Sequence, residues 1–154
     1  MNPSRRRGDL FPPAAGEPAD LCRRLRADLD HRAGVTLLHV YGAADAYTEP
    51  RWLRIIGIAI AEAADSGHLV VDLSSARFIG CRPILDLASR APRAASRGVQ
   101  ISVFNPFPDV VDRVIAIAGL SAWLPVYTTL AQALTAGRPP ATPVHVIVPT
   151  PGSR

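Results

Sequence analysis

The fold class of this chain is indicated most clearly by the run His68-Leu69-Val70-Val71-Asp72-Leu73. This run is nearly all apolar and rich in β-formers, which is typical of a strand buried on both faces. Such strands belong to parallel sheets whose two faces are covered by helices. The run therefore predicts a buried strand of an α/β domain.

Helices are predicted on both sides of this strand. Before it, Thr48 stands where it can cap a helix that Gly67 closes. After it, a second helix is expected from about Pro83 to Gly98. Pro92 lies inside this second helix, and a proline there removes one backbone hydrogen bond at a cost of about 3 kcal/mol. We therefore expect Pro92 to kink or shorten the helix.

The remaining elements complete an α/β pattern. A hairpin is expected from residues 25–29 and 35–41, and strands at 99–104 and 124–127 each precede a helix. The order ββαβαβαβα predicts a single α/β domain with an N-terminal hairpin and a central, mostly parallel mixed sheet on which helices pack. One shared core is expected to include Trp52, Ile56, Val71, Leu85, Val103, Val114 and Leu130.

The two ends of the chain differ from its middle in composition. Residues 1–20 hold four prolines among scattered charges, and we expect a disordered arm because little apolar surface is available to bury. Residues 138–154 form a second proline-rich segment around the apolar run Val144–Val148. The predicted domain is therefore 21–137, with an arm before it and a tail after it.

The excess charge of +4 lies outside residues 25–136. Residues 25–136 contain ten arginines and ten acidic residues, so this part is neutral. A protein that binds nucleic acid is expected to carry a basic patch and a docking element on its folded surface, and the pattern indicates neither. We expect no nucleic-acid partner.

Other functional classes lack their sequence signals. The cysteines Cys22 and Cys81 and the four histidines do not fall at zinc-ligand spacings, and neither a phosphate-binding glycine loop nor a hydrolase motif occurs. No apolar run is long enough for a membrane span, and the start does not resemble a secretory signal. The expectation is a cytoplasmic protein without enzyme activity, cofactor or membrane insertion.

Several strings, taken in order, resemble the STAS domain of anti-sigma-factor antagonists. Gly42-Ala43-Ala44-Asp45 is similar to the family's Gly-x-Leu-Asp loop, and Val70 to Ile79 is similar to its central strand and following loop. The resemblance covers nearly all of the predicted domain. It implies a protein-interaction module whose partner is an anti-sigma factor. The closing segment of the family is matched by Ala118-Gly119-Leu120, Leu124-Pro125-Val126-Tyr127 and Leu130-Ala131-Gln132-Ala133-Leu134.

This sequence departs from the family pattern at the phosphorylation switch. The family pattern Phe-x-Asp-Ser-x-Gly-Leu, whose serine a partner kinase phosphorylates, corresponds here to Phe78-Ile79-Gly80-Cys81-Arg82-Pro83-Ile84. Gly80 replaces the aspartate, Cys81 the serine, and Pro83 the glycine. The resemblance thus implies that the ordinary phospho-switch is absent.

Two interpretations remain open for each residue in this region. Cys81 is either a small residue in a serine-sized site or a reactive thiol activated at a helix start. Asp45 is either a turn residue or part of the partner-binding surface. A polar stripe runs along the second helix and consists of Arg82, Asp86, Arg90, Arg93 and Arg97. This stripe is either a solvent-exposed face or part of an interface. The candidate partner-binding residues are Asp45, Ser75, Gly80, Cys81, Arg82, Asp86 and Arg90.

The resemblance favours an anti-sigma-factor antagonist that binds a kinase-type anti-sigma factor, with a homodimer also open. Two alternatives stand beside it. One is a STAS adaptor subunit of a transport or signalling assembly, and the other is a STAS domain that senses a ligand or the redox state.

Overall fold

The computed structural model describes residues 11–32, 34–107, 110–119 and 121–136. The predicted tail at 138–154 and residues 1–10 lie outside these ranges. No helix in the described part of the chain is long and apolar enough to cross a membrane. The elements in chain order are α1 (Ala19–Arg24), β1 (Leu25–Arg32), β2 (Val35–Ala44), α2 (Glu49–Glu62), β3 (His68–Asp72), β4 (Ala76–Ile79), α3 (Cys81–Ser96), β5 (Gln100–Phe104), α4 (Val110–Ile117), β6 (Val126–Tyr127) and α5 (Leu130–Ala136).

The strands form one mixed sheet in the order β1-β2-β3-β5-β6, with β4 beside the end of β2. β1 and β2 are the antiparallel hairpin, and the pairs β2–β3, β2–β4, β3–β5 and β5–β6 are parallel. The apolar run that begins at His68 forms β3, which lies between β2 and β5 with all five residues buried. The predicted α/β class, the hairpin and the mostly parallel sheet are confirmed.

The larger hydrophobic core lies between one face of the sheet and the helices α2, α3 and α4. Along β2, Leu38 and Val40 contribute to this core, whereas the alternate residues Val35 and Leu37 belong to a smaller cluster on the opposite face. This alternation follows from the two-residue repeat of a strand. Four predicted core residues are at most 1% exposed: Trp52, Ile56, Val71 and Val103.

The expectation of a single core that includes Leu85 and Leu130 is wrong. Leu85 is 37% exposed, and its neighbours Ile84 and Leu87 fill the core instead. Successive residues of a helix are turned by about 100°, so the docking angle of α3 decides which of two adjacent apolar residues is buried. Leu130 packs against the smaller cluster on the opposite face of the sheet. Val114 is partly buried against the larger core, as expected.

Two features of the loop and helix after β3 differ from expectation. Residues Ala76–Ile79, predicted as a loop, form the short strand β4, which pairs with β2. Helix α3 runs through Pro92 to Ser96, so the proline does not shorten it. Pro92 lacks an N–H and cannot bond to the carbonyl of residue 88. The burial of Ala88, Ala91 and Ala94 on the same helix offsets that loss.

Within the described chain, residues before position 21 already pack on the domain. Phe11 is 4% exposed, and its carbonyl accepts a hydrogen bond from Arg51 Nη2 at 3.2 Å. Glu17 forms ion pairs with Arg51 at 3.2 Å and with Arg54 at 2.9 Å. The buried Arg51 guanidinium needs these partners, because an unpaired buried charge is costly. Residues 11–20 of the expected disordered arm are therefore held on α2.

Candidate functional site

Asp45 and Cys81 follow two neighbouring parallel strands at the same edge of the sheet. Ala44, the last residue of β2, is in register with Ile79, the last residue of β4. The Gly80 N–H donates to the Ala44 carbonyl at 2.9 Å and continues the pairing to the end of the strand. We call the surface formed by Asp45, Gly80, Cys81 and Arg82 the switch edge.

Asp45 builds the turn that leads into α2. Its Oδ1 accepts hydrogen bonds from the Thr48 N–H at 3.0 Å and from the Thr48 hydroxyl at 3.2 Å, and its own N–H donates to Thr48 Oγ1 at 2.9 Å. Thr48 holds the capping position, but its side chain makes no capping bond to the helix backbone; it also contacts the Ala43 carbonyl. The turn interpretation of Asp45 therefore describes its local role, while contact with a partner remains a prediction.

Cys81 is the first residue of α3, and its side chain is exposed. The helix thus begins two residues earlier than Pro83, where the sequence predicts it. Gly80 holds the capping position with φ −77° and ψ 171° and has no side chain to cap the helix. The thiol is therefore accessible beside N–H groups that are unpaired within the helix. None of the described residues forms a hydrogen bond with the Cys81 sulfur.

Arg82 connects the first turn of α3 to the first turn of α2. Its Nε lies 3.2 Å from Asp86 Oδ1 and 3.6 Å from Glu49 Oε2. The Arg82 side chain is 68% exposed, so each of these pairs contributes at most about 1 kcal/mol to stability. Their effect is to orient a positive group over the switch edge. Glu49 was not among the predicted site residues.

Trp52, on the core side of α3, also holds the start of this helix in place. The indole N–H of this buried residue donates to the Pro83 carbonyl at 2.9 Å. That carbonyl belongs to the turn that carries Cys81 and Arg82. Sequence reasoning placed Trp52 in the core but had no signal for its hydrogen bond, because the two residues are 31 positions apart.

Arg90 and Ser75, two other predicted site residues, lie away from the switch edge. Arg90 Nη1 donates to the Leu53 carbonyl of α2 at 3.3 Å, so its guanidinium spans the gap between the two helices. Ser75 is exposed in the loop before β4, at the opposite end of that strand from Cys81. The structure thus brings Asp45, Gly80, Cys81, Arg82 and Asp86 together and separates Ser75 and Arg90 from them.

A buried polar cluster lies on the second face of the sheet and was not predicted from the sequence. His39 Nδ1 lies 2.8 Å from Asp72 Oδ2, and His39 Nε2 lies 3.8 Å from Asp30 Oδ2. Asp30 is fully buried and pairs with Arg32 at 3.2 Å. The sequence shows three isolated polar residues on three strands, and only strand pairing brings them into contact. Asp72 does accept the Ser74 N–H at 2.8 Å, as a residue that ends its strand.

Comparison with known proteins gives a consistent result. The family model described as the STAS domain matches residues 26–133. The Mycobacterium tuberculosis protein Rv2638, provisionally named an anti-anti-sigma factor, is 33% identical over 128 residues, which cover 83% of this chain and 86% of that protein. The anti-sigma-F factor antagonist RsfA of the same organism is 32% identical over 112 residues, covering 73% of this chain and 87% of RsfA.

A solved structure agrees with these relatives. The crystal structure of an anti-sigma factor antagonist from Mycobacterium paratuberculosis superposes with a TM-score of 0.61 at 28% identity, over 75% of this chain and 95% of that one. The region 26–133 that the family model matches contains nearly the whole sheet, the helices α2, α3 and α4, and the switch edge. The chain is therefore a STAS-domain protein of the anti-sigma-factor-antagonist family.

Proposed function

We propose that this chain is a non-enzymatic regulatory module that binds a kinase-type anti-sigma factor through the switch edge and thereby releases a sigma factor. The names of its relatives support an anti-sigma factor as the partner class. The observation that carries the proposal is the position of Cys81, exposed at the start of α3 beside the Asp45 turn. In this proposal the cytoplasm is the place of action.

The chemistry of residue 81 sets how this binding is controlled. In the family pattern, a serine hydroxyl at this position takes a phosphoryl group from the partner kinase. Here the side chain is a thiol, and Gly80 supplies no neighbouring carboxylate. Because the thiol is exposed, it is the nature of the side chain rather than access that would prevent the transfer. Binding to the partner is therefore independent of phosphorylation at this position.

A kinase reaction tests the proposal. We expect incubation with the cognate anti-sigma kinase and ATP to leave residue 81 unmodified in the wild-type protein, as read by mass spectrometry. Partner affinity, measured by calorimetry before and after the reaction, should not change. The variant Cys81→Ser should accept some phosphate, whereas Cys22→Ser is the matched control and should behave as wild type. Stoichiometric phosphate on Ser74 or Ser75 with loss of binding would show that the switch has moved along the chain.

A charge reversal tests the proposed surface itself. Arg82→Glu places a negative charge on the switch edge and should weaken binding to the anti-sigma factor by about tenfold or more, because a reversed charge at an interface costs over 1 kcal/mol. Arg113→Glu, on the exposed side of α4, is the control and should bind as wild type. If the two variants bind the anti-sigma factor with equal affinity, the switch edge is not part of the interface.

A further inference from the structure

An open groove of about 720 Å³ lies between α1 and the ends of β1, β2 and β4. Its lining includes Arg23, Arg24, Arg26 and Arg77, together with the rings of Tyr41 and Phe78. We call it the arginine groove. It was not predicted from the sequence, because three of its arginines lie around the predicted domain boundary and the fourth lies in the segment expected to be a loop.

The arginine groove carries a net positive charge, because four arginines line it. Its only acidic lining residue within the described chain is Asp20, whose Oδ2 accepts the Tyr47 hydroxyl at 2.7 Å. In the described part of the chain, none of the four arginines forms a salt bridge with a carboxylate. Arg24 and Arg23 attract the Asp20 carboxylate without forming a salt bridge, so the four guanidinium groups can still bind an external acidic group, which arginine binds in a bidentate way.

Aromatic rings hold two of the arginines in place. The Arg24 guanidinium lies 5.0 Å from the centre of the Tyr47 ring, and that of Arg26 lies 6.0 Å from the centre of the Tyr41 ring. Such stacking limits the side-chain conformations and leaves the edge N–H groups free to donate. Less conformational entropy is then lost when a partner binds.

The shape of the groove depends on a glycine in its floor. Gly42 has φ +90°, and a Cβ built there would overlap the carbonyl oxygen of Arg24. The end of α1 thus rests directly on the backbone of β2. This close approach keeps the arginines of α1 beside those of the strands.

Phe78 joins the arginine groove to the switch edge. Its side chain is 56% exposed, and a Cβ built on Gly80 would lie 3.5 Å from Phe78 Cε1. Exposed aromatic and arginine side chains together are the composition of interface hot spots. The neighbouring apolar ring suits a ligand that carries apolar groups as well as negative charge.

We propose that the arginine groove binds an acidic segment of a partner protein, with Phe78 contacting an apolar side chain of that segment. Charge complementarity argues for the acidic chemistry, and the exposed ring argues for a polypeptide rather than a simple anion. The groove is a second surface beside the switch edge, and the proposal stands whichever protein contacts that edge. Duplex DNA fits less well, because the neutral body offers no extended basic face to a phosphate backbone.

The test uses the full chain and a synthetic peptide of alternating glutamate and leucine, with binding followed by NMR and calorimetry. We expect NMR chemical-shift changes that are confined to residues of the groove, and an affinity that falls as the salt concentration rises. The double variant Arg23→Gln with Arg77→Gln should bind about tenfold more weakly, since each removed contact contributes somewhat under 1 kcal/mol. The matched control is Arg93→Gln with Arg97→Gln, two exposed arginines of α3 and its end, and it should bind as wild type.

The proposal is overturned if the peptide does not bind, if its glutamine counterpart binds equally well, or if the two double variants bind alike. Tighter binding of duplex DNA or of a nucleotide to the same groove would also overturn it. Urea unfolding of each variant shows that a lost affinity is not lost folding. Because this assay contains no anti-sigma factor, its failure leaves the proposed function standing, and the kinase reaction can fail without affecting the groove.

Discussion

The imidazole Nδ1 of His39 lies 2.8 Å from Oδ2 of Asp72, across the parallel pair β2–β3. Both residues are 7% exposed. Burial by itself raises the pKa of Asp72, but the hydrogen bonds from His39 and Ser74 and the attraction of the imidazole outweigh it. The net result is a pKa below the ordinary value of 3.8. The ionised carboxylate is thus the form that the fold stabilises.

The low pKa of Asp72 predicts a loss of stability in acid. A carboxyl group whose pKa is depressed by folding contributes stability above its unfolded pKa, and this stability is lost as the pH falls through the folded value. We expect the free energy of unfolding to drop as the pH falls below about 4. Urea unfolding at a series of pH values measures it.

The variant Asp72→Asn isolates this contribution. At neutral pH it should be less stable by about 1–3 kcal/mol, because the buried hydrogen bond with His39 loses its charged acceptor. Below the ordinary carboxyl pKa, the difference in free energy of unfolding between the variant and the wild type should become smaller. A gap that stays constant across the pH series would mean that Asp72 is not the group responsible.

His68 predicts a second pH effect, nearer neutrality. It is 1% exposed and its Nε2 bonds with Ser102 Oγ at 3.0 Å, and burial lowers its pKa below 6.5. Folding therefore favours the neutral ring, so the stability present above pH 6.5 is lost as the pH falls toward the folded pKa. We expect His68→Gln to remove this dependence of the free energy of unfolding on pH, and the variant His31→Gln, at an exposed site, to keep it. Equal slopes in both variants, read from urea unfolding, would contradict the assignment.

The Trp52 indole predicts a difference between the two tryptophans. Trp52→Phe should cost about 1–3 kcal/mol, because the Pro83 carbonyl loses its buried donor and a void replaces part of the ring. Trp123 is 47% exposed, so Trp123→Phe should change stability by less than about 0.5 kcal/mol. Circular dichroism during thermal unfolding compares them. Equal costs would place the two rings in similar surroundings.

Gly42 and Gly57 predict opposite effects of the same substitution. Gly42→Ala should destabilise the protein by about 3 kcal/mol or more, because its Cβ would overlap the Arg24 carbonyl oxygen in a backbone conformation that L residues avoid. Gly57 lies inside α2, and a Cβ there would meet only the Arg90 side chain at 3.3 Å. Gly57→Ala should therefore be neutral or stabilising by about 0.5–1 kcal/mol. Denaturant midpoints measure both, and a destabilised Gly57→Ala would show that Arg90 cannot move.

The α/β class and the hairpin could be predicted from the sequence. These depend on short-range patterns: a buried run at β3, a two-residue repeat in the hairpin, and helix ends marked by glycines. The order of the family-like strings aligns Cys81 with the family's switch serine, and this alignment stays a prediction. A position at the start of the second helix was also expected for Cys81, and the structure confirms it, with α3 beginning at Cys81 rather than at about Pro83.

The surfaces that these elements form depend on how they pack in the tertiary structure. Leu85 and Ile84 are equally apolar, and the docking of α3 on the sheet selected the latter. The contacts His39–Asp72 and Trp52–Pro83 join residues 33 and 31 positions apart. No local pattern encodes such pairs, because each polar side chain is satisfied by a neighbour that chain folding brings to it. The arginine groove arises in the same way, from α1, β1 and β4 meeting around the backbone of β2.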